Sequence, residues 1–367
     1  MRPEALPSLF PHFYRASIAH QAAAALRDAI KNGVWRYFLP SEHQLATDFK
    51  ISRPSVHAAL VMLKNEGLVA MGQGRLAKVI SCPPVTKAQP MVCVVAPFSR
   101  KTVGLADDPL LIELRGNLAA QGIGWDEAFD ARLKGKGLND HLARLVESRD
   151  RMCWLIESSS SAIQHWFHQA GVRALVLGSC HAGVRLPSVD SDYRAIGWHA
   201  AGCIARLGHR HIAVVAPNNL LGGDITCRDG IADYIATTKG KVVMTEIRAG
   251  QSPAQLKSRL DRLLARRPRP TVVFTVLPEI TLAVLFHLQR IGLKVPGDIS
   301  LVSRDTHLLF EMGMPEITRY CTPMRKKVDC VVGVVQSLLA GHPVSSEPNL
   351  ISPTFIAGET LARLPAE

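Results

Sequence analysis

The sequence predicts an α/β protein in two parts: a small helical N-terminal unit closed by a hairpin, and a larger unit built on parallel sheets. Three observations predict it. Between residues 17 and 80, three short amphipathic helical patterns precede two strand-like stretches around a Gly72–Gly74 turn. Ser81-Cys82-Pro83-Pro84-Val85-Thr86-Lys87 then breaks all periodicity and reads as a linker over 81–90. From 91 onward, continuous apolar runs alternate with amphipathic stretches, the pattern of parallel strands covered by helices on both faces. The expected domains are 14–80 and 91–365, and a chain of 367 residues is long enough for both to bury real cores.

The N-terminal elements follow in order. Ile18, Ala22, Leu26, Ala29 and Ile30 repeat at helical spacing within 17–31, and Gly33 ends that helix. Ser41 is placed to cap a second helix, with Gln44 three residues on as a capping box, and Leu45, Ala46 and Phe49 form its buried face. Ser52 caps a third helix that tolerates Pro54 in its first turn, where N–H groups lack intrahelical partners. Val56, Ala59, Leu60 and Leu63 line one face before Gly67 stops it. Strands are expected at 68–71 and 76–80.

Three helices and a hairpin in this order make a winged helix-turn-helix, whose third helix commits only one face to the core and is free to enter a major groove. Its outer face offers Arg53, Ser55 and His57 near the N-terminal end, where base edges are reached, and Lys64 further along. Arginine pairs bidentately with guanine, while serine, lysine and first-turn N–H groups suit phosphates. Arg75 at the wing tip is placed for a minor groove. Net charge is +12, and residues 1–90 carry 11 Lys+Arg against 5 Asp+Glu, so a quarter of the chain holds half the excess. That concentration points to a polyanion, here double-stranded DNA.

In the larger domain, strands are expected at 91–98, 152–157, 173–179, 211–217, 271–277 and 299–305. Helices are expected at 108–121, 138–148, 162–170, 191–207, 224–237, 252–266, 278–291 and 328–340. Sheets of this kind bind ligands at the carboxyl ends of their strands. No G-x-G-x-x-G follows the first strand, and neither a Walker loop nor a G-x-S-x-G elbow occurs. No enzyme activity, cofactor or metal is therefore expected. The eight cysteines form no CxxC pair, no apolar run is long enough to cross a bilayer, and the N-terminus lacks a signal-peptide core. A cytoplasmic protein with free thiols is expected.

Two resemblances sharpen this reading. Leu39-Pro40-Ser41-Glu42, Leu45-Ala46, Ile51-Ser52-Arg53, Ser55-Val56, Ala59-Leu60, Leu63, Glu66-Gly67-Leu68 and Gly72-x-Gly74 closely resemble the GntR-type winged helix. That resemblance implies DNA contacts at Ser41, Arg53 and Ser55, and at His43 and His57, where the family more often carries arginine. Four later segments resemble the LacI/GalR-type effector domain of periplasmic-binding-protein fold. They are Val189-Asp190-Ser191-Asp192 leading to Leu207-Gly208-His209-Arg210-His211-Ile212-Ala213, then Arg228-Asp229-Gly230, then Arg269-Pro270-Thr271 leading to Gly292-Leu293-Lys294-Val295-Pro296-Gly297-Asp298, and the helix end Leu339-Ala340-Gly341. The combination is similar to arabinose-repressor-type regulators.

The second resemblance implies two lobes, expected at about 91–190 with 304–322 and about 191–303 with 323–360, joined by crossings near 190, 304 and 323. It implies a small sugar-like or nucleoside-like effector between the lobes, held by Asp190, Arg228 and Asp305, and a homodimer. Topology adds Phe98, Ser99 and Arg100, after the first strand, as lining residues. Val276-Leu277-Pro278 stands where the family carries Ser-Asn-Asp, and Ser303-Arg304-Asp305-Thr306 where it carries Gly-Phe-Asp-Asp, so the cleft departs from the usual sugar-binding set. The expected function is a DNA-binding transcription regulator, a dimeric repressor under effector control. A metabolite sensor without sequence-specific DNA binding, or a sugar or nucleotide enzyme, are the alternatives.

Overall fold

The computed structural model describes residues 17–31, 35, 38–72, 76–80, 90–98, 108–149, 152–313 and 315–364. The N-terminal unit runs α1 (Ile18–Lys31), α2 (Glu42–Asp48), α3 (Arg53–Asn65), β1 (Val69–Ala70) and β2 (Lys78–Val79). Ser41 caps α2 by accepting from the Gln44 N–H (3.2 Å), while the Gln44 side-chain amide donates to Asp48 (2.8 Å). Lys50 turns the chain between α2 and α3 at φ +54°, and Gly67 ends α3 at φ +71°, a conformation glycine adopts without steric cost. Leu26, Ile30, Leu45, Val56, Leu60, Leu63 and Val69 meet in one buried cluster. Arg27 on α1 forks onto Glu66 at the end of α3 (2.8 and 2.5 Å), fixing the long helices against each other. β1 and β2 pair antiparallel, Val69 opposite Val79, so the wing is short.

The larger domain begins β3 (Met91–Ala96), α4 (Pro109–Ala120), β4 (Gly124–Phe129), α5 (Leu138–Glu147), β5 (Met152–Glu157), α6 (Ser161–Ala170), β6 (Ala174–Leu177) and β7 (Ser188–Ser191). It continues α7 (Tyr193–Arg206), β8 (His211–Ala216), α8 (Gly222–Thr237), β9 (Val243–Arg248), α9 (Pro253–Leu264), β10 (Val272–Thr275), α10 (Pro278–Arg290), β11 (Ser300–Ser303), α11 (Leu308–Met312) and β12 (Thr318–Cys321). It closes with α12 (Met324–Leu339), β13 (Pro348–Ile351) and β14 (Thr354–Ile356). Two six-stranded sheets result, ordered β13-β7-β6-β5-β3-β4 and β14-β12-β11-β10-β8-β9. Every pairing in the first is parallel; in the second only β12 with β14 is antiparallel. Each sheet is packed on both faces by separate apolar clusters, which is why β3 is apolar and buried along its whole length and β10 is buried throughout, apolar up to Thr275.

The second stretch of each lobe differs from expectation. Segment 304–322, expected in the first lobe, carries β12, which pairs in parallel beside β11 in the second sheet (Val302 opposite Thr318). Helix α12, expected in the second lobe, buries Val328, Val331, Val332 and Val335 against β3 and β5 of the first. The chain therefore crosses at 191–193, 321–324 and 351–354, and not at 304. These crossings are tied together: Ser191 Oγ lies 2.7 Å from Thr322 Oγ1, and the Asp192 N–H donates to the Ile351 carbonyl (3.0 Å). The expected linker lies outside the described residues, apart from Pro90.

Helices α7 and α8 approach closely at two glycines. A Cβ on Gly197 would sit 2.1 Å from the Cys227 carbonyl oxygen, and one on Gly230 would sit 2.1 Å from that of Arg194. Backbone cannot yield as a side-chain tip can. Either Gly197→Ala or Gly230→Ala is therefore expected to destabilise the domain by about 1–3 kcal/mol or more, read as a lower urea midpoint.

Candidate functional site

The structure presents two candidate sites, one on the winged helix and one between the lobes. On α3, Ser52 caps the helix by accepting from the Ser55 N–H (3.3 Å), and the two hydroxyls share a hydrogen bond at 2.8 Å. The cap holds the first turn in place and leaves Arg53 and Pro54 exposed beside it. No acidic side chain lies in that turn, and Lys64 stands exposed in the last turn. His57 is exposed but engaged: its Nδ1 lies 2.7 Å from Glu42 Oε1 on α2, so it braces the two helices across the turn. Ser41 and His43 are exposed at the start of α2. Arg75 lies outside the described residues.

The second site is a cavity of about 330 Å³ where the carboxyl ends of both sheets face each other. The first lobe contributes Asp108, Glu157, Ser158, Ser179, Asp190 and Lys327; the second contributes Tyr193, Gly222, Asp224, Leu277, Arg304 and Asp305. Asp190, at the middle of the last-but-one strand of its sheet, is buried and accepts from Ser179 Oγ (2.8 Å) and Lys327 Nζ (3.3 Å). Arg304, at the end of β11, is buried with Nη1 on Asp224 (2.5 Å), Nη2 on Asp305 (2.7 Å) and its guanidinium 4.2 Å from the Tyr193 ring centre. Asp224 spends its other oxygen on the Leu221 N–H (3.0 Å), capping α8. Ser303 Oγ donates to the Asp305 carbonyl (2.8 Å) and fixes the loop after β11.

Glu157 ends β5 and is only partly covered, because it opens onto the cavity. Burial pushes its carboxyl up to about 7, with the Ser158 hydroxyl (2.8 Å) and Lys327 acting against that rise. The next residue, Ser158, is held at φ +46°, a left-handed conformation that costs a serine energy. The lobes touch through backbone here: a Cβ on Gly222 would lie 2.4 Å from the Ser179 carbonyl oxygen.

Of the residues expected to hold a ligand, the structure brings Asp190 and Asp305 into this cavity. Arg228 is not among its lining residues; it sits a turn further along α8 and pairs with its neighbour Asp229 (2.9 Å). Phe98 also stands apart, with Lys134 Nζ 4.1 Å from its ring centre. Ser99 and Arg100 lie outside the described residues. Sequence reasoning passed over Arg304, Asp224, Glu157 and Lys327. A charged residue directly after an apolar strand, as in Ser303-Arg304-Asp305 or Ile156-Glu157, was the available signal.

These features define a class: a winged helix-turn-helix joined to a two-lobed domain with a ligand-sized cleft. Comparison with known proteins gives the particular assignment. Residues 18–79 match the model of bacterial regulatory proteins of the gntR family, and residues 201–361 match that of the periplasmic binding protein-like domain. The chain thus carries a gntR-family regulatory domain followed by a periplasmic binding protein-like domain. It is 26% identical over 157 residues to catabolite control protein A of Priestia megaterium, covering 42% of this chain and 47% of that protein. It is 38% identical over 66 residues to the HTH-type transcriptional repressor PurR of Vibrio campbellii, 18% of this chain and 20% of the repressor. The chain therefore spans about half or less of the curated relatives it matches. A LacI family transcriptional regulator from Bifidobacterium animalis subsp. lactis superposes with TM-score 0.62 at 18% identity, over 75% of this chain and 98% of that one. One from Enterococcus faecium with bound ribose gives 0.59 at 18%, over 75% and 100%. At such identities the likeness establishes the fold.

Arg304 neutralises two carboxylates, one of them buried. Arg304→Met is expected to cost about 3–5 kcal/mol of stability in chemical denaturation, because Asp224 would be left without its countercharge. Adding Asp224→Asn should recover part of that loss.

Proposed function

We propose that the chain is a DNA-binding transcription regulator, a dimeric repressor acting in the cytoplasm, whose operator affinity is set by a small molecule held between the lobes. The observation that carries the reading is the capped N-terminus of α3, which presents Arg53 on the outer face of a gntR-type winged helix. The bidentate geometry of arginine suits guanine, and Lys64 and Ser55 suit phosphates on either side. The names of the matched relatives, a catabolite control protein and a transcriptional repressor, support the same reading.

The cleft supports ligand control. Its volume suits a molecule of sugar or nucleoside size, and three linked crossings let the lobes change angle as bodies. A ligand shifts that equilibrium only through different affinities for the two arrangements, and closure would then change the spacing of two DNA-binding heads. Asp190 and Asp305 are the proposed ligand-facing carboxylates.

A homodimer is supported by the apolar side chains left exposed over one core cluster of the second lobe. Phe286 on α10 and Leu308, Leu309 and Met312 on α11 are all exposed, while Phe310 and Leu285 beside them are buried together. Phe286→Glu combined with Met312→Glu is expected to convert a dimer to a monomer in sedimentation equilibrium.

The direct test is a mobility shift of the ligand-free protein on its own upstream DNA at two salt concentrations. Wild-type binding should be saturable and weaken steeply with salt. Arg53→Ala should lose about 1–3 kcal/mol and relax sequence preference. Absence of binding at low salt by a folded dimer would overturn the DNA-reading function.

A further inference from the structure

The charges lining the cleft are unequal. Five carboxylates face it (Asp108, Glu157, Asp190, Asp224 and Asp305) against two cations, Arg304 and Lys327. Both cations are already engaged: Arg304 with Asp224 and Asp305, and Lys327 with Asp190. Asp108 accepts from the Leu110 N–H (2.8 Å), capping α4, and Glu157 accepts from the Ser158 hydroxyl (2.8 Å). Among the described residues, neither Asp108 nor Glu157 has a cation at ion-pair distance. Among the described residues, a phosphate or carboxylate entering this cavity would meet more carboxylates than cations, and both cations are already paired. The remaining walls are apolar at Leu110, Val176, Leu177, Leu221 and Leu277, so the site also offers cover for a carbon skeleton.

We propose that the cleft takes a small organic cation of monosaccharide size, whose protonated amine is received by Glu157 and Asp108. This assignment rests on the cleft being the effector site proposed above. An ammonium donates three hydrogen bonds and accepts none, which suits two cavity-lining carboxylates that each accept a single bond within the protein. Charge-assisted hydrogen bonds are about twice as strong as neutral ones, and the amine brings countercharge that the described lining residues do not supply to Glu157 and Asp108. The ligand gives Glu157 and Asp108 a cationic partner, so that closing the lobes over it buries them paired.

The same geometry sets a pH dependence. The charged groups that bear on Glu157 are Asp108 before α4, Asp190 on β7 and Lys327 on α12, with the Ser158 hydroxyl next to it in the chain. Its carboxyl, held up at about 7, is mostly ionised above neutrality and mostly protonated below it. The alkylammonium groups of putrescine and agmatine stay protonated across that range, so their affinity should fall on acidification. Between about pH 8 and about pH 6 the ionised fraction of such a carboxyl drops roughly tenfold, and binding should weaken by about that factor.

The experiment is isothermal titration of the full-length protein with glucosamine, putrescine and agmatine, using glucose and glucose 6-phosphate as neutral and anionic controls. At least one amine is expected to bind more tightly than either control. That binding should weaken about tenfold on acidification and by a similar factor in Glu157→Gln. Asp108→Asn, which keeps a side-chain acceptor for the α4 cap, should weaken it separately. The assignment would be overturned by a control that binds more tightly than every amine, by no amine binding at all, or by amine binding indifferent to both substitutions. Each of those results leaves operator binding by the ligand-free protein as measured, so the ligand class fails independently of the DNA-reading function.

Discussion

The cleft depends on one buried charge. Arg304 leaves the end of β11 and enters a space bounded by α7 and α8, where it meets Asp224, Asp305 and the face of Tyr193. A guanidinium removed from water is costly unless it is paired, and here two carboxylates receive its Nε, Nη1 and Nη2. The consequences spread along three elements. Asp224 is held where it also caps α8, so the N-terminus of that helix is fixed against the cavity. Tyr193 is held at the start of α7, immediately after the first crossing between lobes. Asp305 is held at the mouth of the second sheet. These bonds thereby set the shape of this wall of the cavity.

Much of this was legible in the sequence where local rules act alone. The Ser52 cap, the Pro54 first turn and the Val56-Ala59-Leu60-Leu63 face specify α3 with no help from the rest of the chain. Buried strands such as β3 and β5 announced themselves as unbroken apolar runs. Among the strands that escaped reading, β4, β9, β13 and β14 lie at sheet edges, where side chains are only partly covered and need not be apolar, and β12 is four residues long with Thr318 and Arg319 in its first half. β7 escaped because its four residues, Ser188-Val189-Asp190-Ser191, are mostly polar although all are buried. Their hydroxyls and carboxylate are satisfied by partners far away in the chain, such as Thr322 and Lys327, which no local pattern can show.

The exchange of 304–322 and 324–351 between lobes has the same origin. Nothing in Thr318–Cys321 says which of two similar sheets it extends; that is decided by pairing with β11. The apolar face of α12 would suit either sheet, and the choice is made by the crossing at 321–324. The site residues divide along this line. Asp190, Asp305 and Arg228 were all expected from the resemblance; the first two line the cavity, whereas Arg228 pairs with Asp229 and is not among the lining residues. Glu157 and Lys327 come together only because β5 and α12, 170 positions apart in numbering, share a lobe.

The contact between Gly222 and the Ser179 carbonyl bears on how such a cleft changes over evolutionary time. The lobes meet there main chain to main chain, with no side chain between them. The approach of the lobes at this point is therefore set by the backbone, while the chemistry inside is set by lining residues such as Glu157, Leu277 and Asp108. The two are separable. Under the proposed function, substitutions among the lining residues would exchange one ligand for another without touching this backbone contact between the lobes.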